Sequence, residues 1–300
     1  MIDPVSARSE IDREMTNFRD LDGDFSALIE LMSCMVDARA GSSIAHGMGW
    51  LNDIQTLSIK LFKQLCSTKS LAGGCVFKSA TGKSVEFIDQ GSVSILARAS
   101  VETFLTLHWI FGCPTERSQF RHALWQYAGL NDRVSLNTST EEGRVKQAEA
   151  KAQQAELLRF IERSPLLTEY TAREIKELKK GNWRVGWSWG SEAVRAGFHK
   201  LYFDNVYSHL CGYSHSNYIS AMQIGQARSI ADQSKLASAG IQISIHILAH
   251  FIHLYASTFS QAADLLAASP AKPVADLWHF KAEDMNFIFE QEKSADHQVE

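Results

Sequence analysis

The stretch SVSILARASVETFLTLHWIF, residues 92–111, decides the fold class. Valine, isoleucine, leucine, alanine, phenylalanine and tryptophan occupy it almost all round, and neither glycine nor proline interrupts it. A helix of that composition is buried on nearly every side. Against this background Ser94, Arg98, Glu102 and Thr106 recur at four-residue steps and form one polar stripe. The stripe puts an arginine and a glutamate in or beside the core, where neither stays ionised without partners. The two are spaced to pair at i, i+4, but that pairing leaves donors and acceptors over, so polar groups from elsewhere must meet them.

Residues 207–217, YSHLCGYSHSN, are the candidates to do so. Read as helix, Tyr207, Cys211 and His215 advance by about 40° per four-residue step and share a face, with Ser208 beside His215 at i+7. Two polar stripes on largely apolar helices can meet inside a bundle. Such a meeting makes either a functional site or a hydrogen-bond network that fixes helix register, and the residues alone leave both readings open.

The rest of the chain repeats the helical period. Apolar residues at three- and four-residue steps predict helices over 10–39, interrupted at Asp22-Gly23-Asp24, and over 44–65. Further helices are predicted over 115–130, 141–163, 171–180, 191–200, 203–225 and 233–268, and Thr81-Gly82 between two short apolar pairs predicts a β-hairpin near 75–88. A single all-helical domain over 1–300, with a frayed tail from about 290, is the expected organisation. Residues 141–163 are rich in Ala, Glu, Lys and Gln and read as a solvated helix or an arm for a protein partner. The apolar run 241–259 holds three histidines and no basic flank, which predicts a core helix and no membrane association.

Composition and motifs narrow the function. A net charge of −4 and a pI near 6.3 exclude a dedicated basic nucleic-acid binder, though not a local RNA or nucleotide pocket. The first fifteen residues carry acids where a signal peptide needs a basic and then an apolar region, so a cytoplasmic location is expected. Five scattered cysteines without CxxC spacing predict reduced thiols. SATGKS, 79–84, lacks the first glycine of a phosphate-binding loop, because position 77 is Phe. His246, His250 and His253 share one helix face, but no Glu-x-x-His pair accompanies them, so neither a metal nor a cofactor is predicted. GNWRVGWSWG brings Trp183, Trp187 and Trp189 together, either as a platform for a flat ligand or as a lock holding a glycine-rich connection on the core.

The helix 95–111 with its Arg98-x-x-x-Glu102, and the segment Tyr207-Ser-His-Leu210-Cys211-Gly-Tyr-Ser-His215, together resemble a bacterial family termed domain of unknown function 5677. The resemblance spans about residues 45–225, and Cys211 stands where that family usually has Ser. Members are similar to HEPN-like helical proteins, whose Arg and His serve phosphodiester cleavage, often between two subunits and often in toxin or phage-defence systems. The resemblance therefore implies a metal-independent RNase-like effector, compatible with a homodimer, with Arg98, Glu102, Tyr207 and His215 as catalytic residues. The Arg117-to-His122 spacing also fits the HEPN Arg-x4–6-His pattern, which chance supplies easily. The alternative is a non-enzymatic helical binding or scaffold protein whose Arg–Glu–His network is structural.

Overall fold

A computed structural model describes residues 20–286 and 288–289. The protein is all-α, a multi-helix bundle with one two-stranded β-hairpin. Two helices open it: α1, Leu21–Asp37, and α2, Asn52–Ala72. The hairpin strands β1, Cys75–Lys78, and β2, Ser84–Phe87, precede α3, Gln90–Phe111, which contains the decisive stretch. Next come α4, Thr115–Val134, α5, Glu141–Arg163, α6, Ala172–Lys179, and α7, Trp189–Arg195. The chain continues with α8, Lys200–Ser214, α9, Tyr218–Gln226, α10, Ile230–Thr258, α11, Ser260–Ala268, and α12, Lys272–Trp278. Of the predicted first helix, Ile11, Met15 and Phe18 lie outside the described residues, as does the tail after Glu290.

The chain divides into two compact units. Among the described residues the first holds 20–40, 62–101 and 206–279, and its centre is α10. Ser229 and Asp232 cap this helix reciprocally, and bonds from the Ser229 hydroxyl and amide hold the Asp232 carboxyl below its ordinary range. Ile243, Ile247, Phe251 and Tyr255 are buried on it, and Phe25, Leu28, Met32 and Met35 are buried on α1, which packs against it. Gly240 permits a close approach to α3: a Cβ there would stand 3.0 Å from Val93 Cγ1. By length and composition α10 passes for a membrane span, but 72% of its apolar window is buried within the protein. The hairpin pairs Cys75 with Phe87 through Lys78 with Ser84, so SATGK, residues 79–83, is its turn, with Gly82 at φ +82°.

Among the described residues the second unit holds 41–61, 102–205, 280–286 and 288–289. Its core includes Phe104, Leu107, Trp109, Leu124, Ile161 and Phe203, and α4 packs along α5. On α5 only Ala150 and Ile161 are buried, while Gln147 and Gln154 donate to Val134 O and Asn131 Oδ1.

Several boundaries depart from the sequence reading: the helices expected over 44–65 and 191–200 run Asn52–Ala72 and Trp189–Arg195. Asp22-Gly23-Asp24 is not an interruption but the first turn of α1, because Asp20 Oδ1 accepts from the Gly23 amide at 2.9 Å. The helix expected over 233–268 ends at Thr258. The hydroxyls of Ser257 and Thr258 both donate to Leu254 O at 2.8 Å, and Phe259 is extended (φ −130°, ψ 120°) before α11 begins. The helix expected over 203–225 breaks after Ser214. Asn217 N donates to Gly212 O and Ser216 N to Tyr213 O, with Ser216 at φ 50°, which is the left-handed helix stop that glycine usually makes. Asn217 Oδ1 then caps α9 by accepting from the Ser220 amide.

Candidate functional site

That helix stop positions the candidate site. His215 is the cap residue at the end of α8, and the turn leaves its side chain exposed. Tyr207 lies two turns earlier on α8 and is half-buried. From α3, half-buried Arg98 reaches both: its Nη1 stands 3.4 Å from His215 Nε2, and its guanidinium carbon lies 5.6 Å from the Tyr207 ring centroid. All three belong to the first unit. The two stripes read from sequence therefore meet, but at the surface and not sealed in a core.

The chemistry follows from the groups. A separation of 3.4 Å exceeds an ordinary hydrogen bond, so Arg98 and His215 are adjacent without being locked together. Tyr207 gives the guanidinium a π-face. Glu102 follows one turn later on α3 and is half-buried. Cys211 is half-buried and Ser208 exposed. Of the remaining stripe, Ser94 and Thr106 are buried, and the Thr106 hydroxyl donates to Glu102 O at 2.8 Å.

Other candidates resolve differently. Arg117 and His122 have separate partners: Arg117 makes a two-pronged pair with Glu169 at 2.6 and 2.7 Å, and His122 Nε2 meets Asp53 Oδ2 at 2.7 Å. The Glu169 carboxylate raises the Arg117 pKa, and Arg117 in turn lowers that of Glu169. Trp183 and Trp187 pack on buried Trp109 at centroid distances of 5.1 and 5.2 Å, and Trp189 meets Trp187 edge-on at 5.4 Å. The indoles thus close on one another, and Arg184 covers Trp189 from outside at 4.6 Å.

On α10, His246 and His250 are buried with their Nε2 atoms 3.0 Å apart, and His253 stacks on His279 at 3.9 Å while facing Asp276 at 3.4 Å. Among the described residues no group of three or more His, Cys, Asp or Glu side chains is arranged to hold a metal ion.

Two pairings had no signal in the sequence: His122 with Asp53, 69 residues apart, and His108 with Glu192, 84 residues apart. Only the fold brings such partners together. Comparison with family models, curated proteins and solved structures yields no match.

Proposed function

We propose that the Arg98–Tyr207–His215 group cleaves phosphodiester bonds in RNA without a metal ion. The observation that carries this reading is the 3.4 Å approach of Arg98 Nη1 to His215 Nε2 beside an exposed imidazole. Attack of a ribose 2′-oxygen on phosphorus requires a group that takes the 2′-hydroxyl proton or returns one to the departing 5′-oxygen. It also requires a cation against the charge gathering on the phosphoryl oxygens. Histidine suits the first task and the guanidinium fork the second. Tyr207 holds the guanidinium and presents its phenol to substrate, and Glu102 follows one turn along α3. An open surface suits a polymer, which passes over it, better than a small molecule, which gains most from enclosure. With a net charge of −4, affinity must come from this local group and not from a basic face. Such an activity fits an effector of a toxin or phage-defence system.

The test is cleavage of a fluorescent single-stranded RNA in excess chelator, comparing the native chain with His215→Ala and Arg98→Ala. Both variants should lose at least about a hundredfold in rate, because general acid–base and charge-stabilising groups each contribute that much. His215→Ala should keep the native melting temperature, since the side chain is exposed. Equal cleavage by native protein and His215→Ala, or none by either, would refute the reading. A helical protein that binds a partner through α5 then becomes the better account, supported by the exposure of Val145 and Phe160 on that helix.

A further inference from the structure

The second unit contains a groove that the nuclease reading does not use. It lies between α4 and α5 beside Trp50, and its volume of about 360 Å³ falls in the range that encloses small organic ligands. Its lining is aromatic at Trp50 and Phe160, amide-bearing at Gln119 and Gln153, and acidic at Glu156. No lysine or arginine is among the lining residues. At the floor His122 is 4% exposed, and Asp53 Oδ2 takes its Nε2 at 2.7 Å. That bond holds the ring in place against the groove.

Each feature selects the ligand. Glutamine amides offer a donor and an acceptor side by side, which match the edge of a nucleobase. Exposed Phe160 supplies a face for stacking, while the half-buried Trp50 indole, itself stacked on Phe111 at 5.9 Å, adds apolar lining. A carboxylate such as Glu156 accepts from ribose hydroxyls but repels phosphate, and no cation in the lining offsets that repulsion. We propose that this groove binds a purine nucleoside, in preference to the corresponding nucleotide. The proposal involves none of Arg98, Tyr207 or His215 and stands apart from the nuclease reading.

Calorimetric titration with adenosine, adenosine monophosphate, ribose and tetramethylammonium tests it on the full chain. Adenosine should bind saturably with a dissociation constant at or below the millimolar range, and the monophosphate at least about tenfold more weakly. Gln153→Ala and Phe160→Ala change exposed side chains, so both should fold, and each should weaken adenosine about tenfold. Arg98→Ala should leave adenosine binding unchanged, which separates this site from the proposed nuclease centre. The proposal is overturned if adenosine does not saturate, if the monophosphate, ribose or tetramethylammonium binds as well as adenosine, or if neither groove variant weakens it.

Discussion

Replacing Glu192 by alanine should destabilise the second unit by about 2–4 kcal/mol. Glu192 sits in the first turn of α7 and is 1% exposed. His108 Nδ1 lies 2.7 Å from its Oε1, and Arg195 Nη1 lies 3.2 Å from its Oε2. The arginine side chain is 45% exposed, so its half of the arrangement is worth about 0–1 kcal/mol. The histidine side chain is only 19% exposed, and its bond to a buried carboxylate contributes about 1.5–3 kcal/mol. Alanine also leaves the histidine nitrogen without its acceptor. The sum of these contributions lies toward the lower end of what breaking a buried pair costs.

For a chain of this length that corresponds to a fall of about 3–6 °C in melting temperature. Tryptophan fluorescence in urea is a suitable assay, because Trp50, Trp109, Trp125, Trp183, Trp187 and Trp189 lie in the second unit and only Trp278 lies in the first. Glu192→Gln, which keeps the acceptor and loses the charge, should recover about half of the loss. If Glu192→Ala costs no more than Arg195→Ala, the buried bond contributes nothing beyond its exposed neighbour and the reasoning fails.

Other consequences are open to measurement. Gly240→Ala forces a methyl to 3.0 Å from Val93 Cγ1, so overpacking of about 1–3 kcal/mol should outweigh the gain in helix propensity and lower the urea midpoint; a raised midpoint would show that α3 and α10 separate easily. Ser216→Gly relieves a left-handed backbone at φ 50° and should stabilise the native state by a few tenths to about 1 kcal/mol, read as a higher melting temperature.

Burial pushes the Tyr255 phenol up to about 12 and raises that of Tyr202 above the ordinary tyrosine value. The folded state therefore binds more protons than the unfolded state above pH 10. Stability should be whole below pH 10 and fall as pH climbs toward 12. Ultraviolet titration should show a late tyrosine fraction that ionises together with loss of helical signal; complete ionisation near pH 10 with the helix retained would contradict this.

The fold class and the existence of two polar stripes were readable from the order of residues alone. Both are local properties: a 3.6-residue period makes residues 94, 98, 102 and 106 neighbours on α3 whatever surrounds them. Helix ends were less legible where the deciding bond is made by a side chain, as at Asp20, Ser257 and Thr258, or by a serine in a glycine's place at 216. Tertiary structure alone decided which stripes meet, and whether they do so in a core or in the open. Arg98 and His215 are separated by 117 positions, and no periodicity measures that distance. The same holds for His122, whose sequence neighbour Arg117 pairs with Glu169 while a carboxylate 69 residues away anchors its ring. Side-chain spacing along one helix is fixed by backbone geometry; the partner across a bundle is chosen by packing, which follows from the whole chain at once.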